Sequence, residues 1–438
     1  MQRIHSGLRV NSYRSTLKYL YGLQGRGMKF GLRNIKALLK EVGNPERTFR
    51  SIHVAGTNGK GSTSAFLASI FMEGGYKTGL YTSPHLVRFT ERIRINGIEI
   101  PEERLVAYAR RIRPAVERVH ATFFEATTCI AFQYFADEEV DLAVIEAGLG
   151  GRLDSTNVLH PLVSVITNVA FDHMDQLGGT LVKIAREKGG IIKTGVPCIT
   201  ASREPVVLTT LKNIARKKHA RFLAVRNRVT STEGKSVAGR TAYHFTTSCI
   251  SLRNVHLGLA GEHQITNAAT ALAVVDTLRR RKRTGQLLSH LTNDCIKRGL
   301  ERVTRNTGLR ARLERLHGRF ILDVAHNEDA MRILTGSLDR DERYVVVFGV
   351  MKDKRYMPML EMLGSVAEHI VAVQPKLSRA LSSRTIVQCA RRLNIDVTNA
   401  GSVRNGVAVA RRLAGKHGSI LITGSHYVVG EAIQHLKA

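Results

Sequence analysis

The chain has 438 residues, 43% of them hydrophobic, enough to bury a large core in two or three domains, of which two is the simpler division. Lys and Arg number 66 against 36 Asp and Glu, and the resulting +30 favours anionic partners: nucleotides, polycarboxylates or nucleic acid. Five cysteines, an odd number without C-x-x-C spacing, argue against a disulfide framework or a zinc site and for a reducing compartment. The polar Met1–Arg14 has no secretory core and no apolar run is long enough for a bilayer, so a cytoplasmic protein with no membrane partner is expected.

Residues 15–42 hold two apolar runs at helical spacing around a glycine-rich loop. Ser51 to Thr63 follows, a short apolar strand feeding Gly56-Thr57-Asn58-Gly59-Lys60-Gly61-Ser62 and then a helix from Ser64 to Glu73. It reads as a phosphate cradle: glycines let backbone N–H groups face an anion, the helix N-terminus adds its unpaired donors, and Lys60 adds charge. The pattern is a variant, since strict G-x-x-x-x-G-K-[ST] needs Gly at Val54 and a hydroxyl at Gly61.

The strand Lys77–Thr82 ends at Ser83-Pro84-His85, where α/β proteins gather ligands. Asn96-Gly97 predicts a hairpin within 92–100, and helices follow over 101–120 and 125–136. Asp141–Glu146 is a buried-type strand ending in a carboxylate. Downstream of a cradle, Glu146 is placed to hold a nucleotide-bound Mg²⁺, or else to cap a helix or form an ion pair. Leu162–Thr167 delivers Asn168, Asp172 and His173 to another strand end.

A helical pattern spans Thr180–Lys193, short alternating runs fill 196–259, and a helix over Glu262–Arg279 presents an apolar face with Asn267 in its middle. The basic runs Arg216–Lys218 and Arg279–Arg283 carry few interleaved aromatics and read as solvated surface, so no nucleic-acid partner is expected. A helix over 289–300 and a linker at 301–308 divide residues 1–300 from 309–438. The latter predicts a parallel-sheet domain with strands over 320–324, 343–348, 369–373 and 419–423 and helices over 357–365, 383–393 and 403–414.

With these motifs in order the chain resembles the folylpolyglutamate synthase/dihydrofolate synthase family of the Mur ligase superfamily along nearly its whole length. The resemblance rests on His53 to Ser62, Ser83-Pro84-His85, Glu146 to Asn157, Asn168 to His173, Ile184 to Lys193, Asp323 to Asn327, Phe348 to Lys354 and Thr423 to Ser425. It implies an α/β fold, with a P-loop-containing, Mur-ligase-like N-terminal part and a smaller Rossmann-like C-terminal domain. It also implies a monomeric ATP-dependent ligase of folate biosynthesis that joins L-glutamate to a carboxylate of dihydropteroate, a reduced folate, or both, through an acyl phosphate. The alternatives are a folylpolyglutamate synthase alone, or a basic NTPase stimulated by nucleic acid.

By the same resemblance Gly56, Thr57, Asn58, Gly59, Lys60, Gly61 and Ser62 hold ATP, completed by Asn267, Arg312, Asp323 and His326. Ser83 and Glu146 bind one Mg²⁺ and His173 serves a second. Lys60, His173 and Lys188 are the catalytic set, Lys188 as a carbamylated lysine. Thr122, Phe123, Phe124, Glu125, Leu153, Asp154 and Ser155 face the pterin substrate. The chain departs from the family with Arg310-Ala311 before Arg312, which leaves either arginine to reach the phosphates, with Ala170 at a usual glycine, and with His426 at a usually apolar or aromatic position.

Overall fold

The computed structural model describes residues 12–27, 31–237, 240–285, 288–339 and 341–436. The expectations for residues 1–11, and for 28–30 of the glycine-rich loop, lie outside them. Helices Tyr13–Gly22 and Arg33–Glu41 flank that loop, as the spacing predicts.

Eight strands form the larger sheet: β1 (Arg50–Ala55), β2 (Thr78–Tyr81), β3 (Ile93–Ile95), β4 (Ile98–Glu99), β5 (Leu142–Glu146), β6 (Val163–Ile166), β7 (Cys198–Thr200) and β8 (Phe222–Ala224). Their order is β4-β3-β2-β5-β1-β6-β7-β8. Strands β2, β5, β1, β6, β7 and β8 run parallel, while β3 is antiparallel to β2 and to β4, so the β3–β4 hairpin forms an antiparallel edge. That hairpin turns at Asn96 (φ 49°) and Gly97 (φ 78°), the two left-handed residues its tight turn requires. In register, Val54 of β1 pairs Glu146 of β5 and Ala55 pairs Ile166 of β6. The loops after β1, β5 and β6 therefore leave one end of the sheet side by side, at the point where the strand order reverses.

Helix Lys60–Glu73 packs between β2 and β5 on one side and helices His263–Arg279, Asn293–Glu301 and Val303–Thr307 on the other. Every residue from Gly61 to Phe71 is buried, so the helix has no solvent stripe. The helix His263–Arg279 is enclosed in the same way from Asn267 to Leu278, rather than on the single face its pattern predicts. Residues 303–307, within the expected linker, are helical and packed.

The ill-defined stretch 196–259 resolves into β7, a helix Pro205–Lys217, β8 and a separate antiparallel sheet of β9 (Thr230–Val237), β10 (Arg240–Thr246) and β11 (Ser251–Val255). Asp276 anchors its last turn by accepting from Thr247 Oγ1 (2.7 Å), Ser248 Oγ (2.8 Å) and the Cys249 amide (3.1 Å).

The C-terminal lobe contains β12 (Glu314–Leu316), β13 (Phe320–Leu322), β14 (Tyr344–Phe348), β15 (Ala367–Gln374), β16 (Val397–Ser402) and β17 (Ser419–Thr423), in the order β12-β13-β17-β14-β15-β16. The sheet is parallel except for β12, a correction to the all-parallel expectation. Sequence pattern passes over β12, β16 and the helices Glu328–Gly336 and His426–Leu436. The two strands are edge strands without a clean apolar alternation, and both helices follow ligand-type loops whose polar residues mask the start.

Candidate active site

The cradle is built from strand-end register and glycine geometry. At Gly56 (φ 155°) a β-carbon would collide with the Thr167 side chain; at Gly59 (φ 79°), which starts the helix, it would collide with the Asn267 amide. Between them the loop is stitched to the segment after β6. The Thr57 amide donates to Asn168 O (2.9 Å), the Asn58 amide to Asn168 Oδ1 (2.7 Å), and Thr167 Oγ1 to Asn58 O (2.6 Å). Thr57 Oγ1 accepts from the Ala170 amide at 3.0 Å, so the departure from glycine at 170 is accommodated through backbone. Lys60 Nζ bends over the loop to Thr57 O (3.1 Å), and Ser62 is buried in the first turn. Asn267 is buried; its Oδ1 accepts from Thr63 Oγ1 (3.4 Å), and its Nδ2 donates to Gln264 Oε1 (2.9 Å).

Glu146 lies beside that first turn, 4% exposed, with Oε2 accepting from the Ser83 amide at 3.2 Å. Burial pushes its carboxyl up from the ordinary glutamate value against Lys60, the Ser83 N–H, Arg312 and Arg92, which pull it down. A β-carbon on Gly61 would sit 3.4 Å from Arg312 Nη2 and 3.7 Å from Glu146 Oε2, so the helix start, the carboxylate and an arginine of the other lobe share one corner. Arg310 instead forms a two-pronged pair with Glu314 (2.9 and 2.6 Å), which leaves Arg312 as the arginine facing the cradle. Asp323 fixes that arginine's loop by accepting from the Leu313 amide (2.9 Å) and the Ala325 amide (2.8 Å) across the left-handed residues Ala311 and Leu313. The serine Ser83 leads a cis Ser83–Pro84 bond. Gly61, Ser83, Glu146, Arg312 and His426 line one interlobe cavity, with Arg310 in its wall while paired to Glu314.

A second polar corner surrounds Asp172. Its Oδ1 accepts from Lys354 Nζ at 2.6 Å and its Oδ2 from Asn327 Nδ2 at 3.0 Å, with His326 Nε2 3.7 Å away. Burial raises the Asp172 carboxyl, but Lys354, His173 and His326 outweigh it and hold the group well below the usual carboxylate range. His173, in a left-handed conformation (φ 49°), puts Nε2 3.2 Å from Lys354 Nζ, and burial lowers its imidazole to about 4. His326 places Nδ1 2.9 Å from Val324 O. Around this corner Asn58 Nδ2 donates to Asp329 Oδ2 (2.9 Å) and Asn168 Nδ2 donates to the same atom (3.2 Å). Asn327, Asp329 and Lys354 thus clamp the lobes together. Sequence reading names Asn327 and Lys354 only as motif members, because their partners lie more than a hundred residues away.

Lys188 ends the helix Leu181–Gly189 and is 4% exposed, donating to Gly56 O at 2.8 Å. Burial, then Lys60, lowers its amine to about 7. Lys188 is thus an enclosed amine facing the cradle loop rather than a solvated helix lysine.

The segments expected to face a pterin are partly turned inward. Thr122 caps the helix Phe123–Asp137, and Glu125 closes that cap by accepting from the Thr122 amide (2.7 Å) and Oγ1 (2.9 Å). Asp154 is buried and braces its own loop by accepting from the Leu149 amide (2.9 Å) and the Thr156 amide (3.0 Å). Ser155 is buried beside it, whereas Leu153 and Phe124 are half-buried. Phe123 stacks on Tyr21 (5.7 Å between centroids) under the Arg92 guanidinium (5.3 Å). His426 opens the helix His426–Leu436 with its ring 5.6 Å from that of His326; burial, then Arg312, lowers its imidazole well below the ordinary value.

Comparison with known proteins adds to this geometry. Residues 54–275 match the Mur ligase middle domain, and residues 311–426 match the Mur ligase, glutamate ligase domain. The chain is 33% identical to the dihydrofolate synthase/folylpolyglutamate synthase of Bacillus subtilis over 97% of this chain and 99% of that protein. Among solved structures it is similar to E. coli FolC in complex with DHPP and ADP, with 30% identity, 99% of each chain covered and a TM-score of 0.86. It is also similar to the Mycobacterium tuberculosis folylpolyglutamate synthase complexed with ADP and AMPPCP, with 30% identity, 97% of this chain and 98% of that one covered, and a TM-score of 0.85.

Proposed function

From the premise that the chain belongs to the folylpolyglutamate synthase/dihydrofolate synthase family, with Mur ligase middle and C-terminal domains, we propose that it ligates L-glutamate both to dihydropteroate and to reduced folates. It is an ATP-dependent glutamate ligase. A carboxylate oxygen of the acceptor attacks the γ-phosphorus of ATP, the bond to the β-phosphate oxygen breaks, and an acyl phosphate and ADP result. The glutamate amine then attacks the acyl carbon, the C–O bond to phosphate breaks, and an amide and inorganic phosphate leave after the nitrogen loses a proton. Such transfers need position and charge more than covalent help.

The observation that carries this reading is the meeting of Lys60, Glu146 and Arg312 from two lobes at one helix start. Gly56 to Ser62 cradle the phosphates, Lys60 and Arg312 face the transferring group, and Asn267, Asp323 and His326 complete the nucleotide site. Asp323 acts by holding the Arg312 loop. A buried carboxylate beside the hydroxyl-bearing Ser83 suits a hard divalent cation, so Glu146 and Ser83 are the residues that would hold Mg²⁺. Bound there, Mg²⁺ supplies charge neutralisation along the phosphates. His173 would serve a second ion, although no group of three His, Cys, Asp or Glu gathers for a metal among the described residues.

An amine lowered to about 7 is close to half neutral at neutral pH, and only the neutral form of Lys188 reacts with CO₂. Its nitrogen then bonds the carbon and releases a proton, and the cation becomes a carboxylate-like group. Thr122 to Glu125 and Leu153 to Ser155 form the pterin side, with Phe124 and Leu153 as contact surface and Glu125 and Asp154 holding their segments in shape. The parts of the site come from one chain, as a monomer requires, and the family reading places the protein in the cytoplasm. Separately, no described helix is long and apolar enough to cross a membrane. The test is ATP turnover with glutamate on dihydropteroate and on tetrahydrofolate. Both should support turnover, and failure with either narrows the acceptor to the other.

A further inference from the structure

Arg92 closes the short helical turn Phe89–Arg92 ahead of β3 and is 6% exposed. Its Nε donates to His85 Nδ1 at 2.8 Å. A guanidinium can only donate, so His85 accepts on Nδ1, is neutral, and turns its Nε2 proton toward Tyr21 Oη at 3.2 Å. Burial, then Arg92, lowers that imidazole to about 3, which keeps it in this state. Phe123 and Phe89 pack against the guanidinium, with Cζ 5.3 and 5.9 Å from their ring centroids. One nitrogen is thus anchored and the other two are not. Among the described residues Nη1 and Nη2 form no hydrogen bond, and no carboxylate pairs with them. Burial works against the charge, and Tyr81, Tyr427, Tyr21 and Glu146 offset this only in part. The anion whose shape fits a guanidinium's paired N–H groups is a carboxylate.

The position of Arg92 decides which carboxylate. Through His85 it is tied to the wall of the interlobe cavity, two residues from Ser83, and its charge acts on Glu146 and His426 in that wall. Through Phe123 it touches the segment on the pterin side. Arg92 therefore stands between the pterin side and the cradle, where the acceptor's carboxylate has to approach the phosphates. We propose that Arg92 holds the reacting carboxylate of the acceptor through Nη1 and Nη2, a role that deepens the ligase reading above and rests on it. Its charge offsets the repulsion between that carboxylate and the phosphates of ATP. Tyr21 and His85 are positioning residues that set the angle of the guanidinium.

The experiment measures binding of dihydropteroate and of its primary amide, which lacks the negative charge, to the full chain by calorimetry with a non-hydrolysable ATP analogue present. Arg92→Met and Arg92→Lys are compared with wild type and with a control, Arg88→Met, whose side chain is 66% exposed and pairs with Glu99. Wild type and the control should prefer the acid by at least about tenfold. Arg92→Met should lose that preference and Arg92→Lys most of it, with the amide bound within about twofold of wild type in both. An Arg92→Met protein that binds the acid as tightly as wild type, or that weakens acid and amide equally, overturns the proposal and leaves the ligase reading intact. A wild type that binds acid and amide alike does the same. Absence of binding of both dihydropteroate and tetrahydrofolate to wild type overturns the two together. If neither variant melts cooperatively, phenylglyoxal labelling of Arg92 in wild type, followed by mass spectrometry, should be slowed by the acid and not by the amide; equal rates with the two overturn the proposal.

Discussion

Glu146 and Asp172 are both buried carboxylates at the end of the same sheet, yet they sit in opposite electrostatic states. Asp172 is paired at 2.6 Å with an ammonium from the other lobe and is held below the usual carboxylate range. Glu146 has a backbone N–H at 3.2 Å and cations only at longer reach, and burial raises it. The chain has closed one charge with its own lysine and left the other short of a positive partner. A carboxylate kept in that condition costs stability unless a ligand relieves it, which is how a binding site differs from a structural ion pair.

Removing each charge should break the comparison in opposite directions. Glu146→Gln should lower ligation by about 10³-fold, the scale of losing a group that acts on transition-state charge. It should nevertheless melt at or above the wild-type temperature; near-normal turnover at limiting Mg²⁺ would count against the metal assignment. Lys188→Ala should lose about 10²-fold in activity, in the range for residues that support a metal site. A short carboxylic acid in the buffer should restore part of it. Full activity of that variant in CO₂-depleted buffer would remove Lys188 from the site.

Asp172→Asn should destabilise by about 3 kcal/mol, because it leaves Lys354 buried without its counter-charge. The two carboxylates also differ in pH dependence. Asp172 is depressed, so its contribution is complete above the unfolded value of about 3.9 and is lost as pH falls through the folded value. Glu146 is raised, so its favourable contribution is present below the unfolded value of about 4.3 and is lost as pH rises through the folded one. Melting temperatures from pH 3 to 7 should therefore show a flatter acid limb in Asp172→Asn and a gain at neutral pH in Glu146→Gln. The smallest contrast separates the neighbouring arginines. Arg312→Ala should impair ATP use, whereas Arg310→Ala should cost no more than about 1 kcal/mol of stability, the scale of its partly exposed pair with Glu314.

The sequence made the Glu146 corner readable because its parts are local. A strand feeding Gly59-Lys60, a strand ending in Glu146, and Ser83-Pro84 each carry their own signal. The Asp172 corner was readable only as separate motifs, since Lys354 and Asp172 are distant in the chain and meet through lobe packing. Choosing between Arg310 and Arg312 required the Arg310–Glu314 pair and the approach of Arg312 to Gly61, set by left-handed turns at Ala311 and Leu313 that neither residue type announces. Glu125 and Asp154 carry the same ambiguity: a capping carboxylate and a ligand-facing one look alike until the partner N–H is known. The helix His426–Leu436 was hidden by the ligand-type residues at its start, and with it the approach of His426 to His326.

The acyl phosphate is tested most directly by isotope transfer. With dihydropteroate labelled with ¹⁸O in its carboxylate, ATP and glutamate, the mechanism predicts one ¹⁸O atom in each inorganic phosphate released together with amide product. Unlabelled phosphate accompanying amide formation would contradict it.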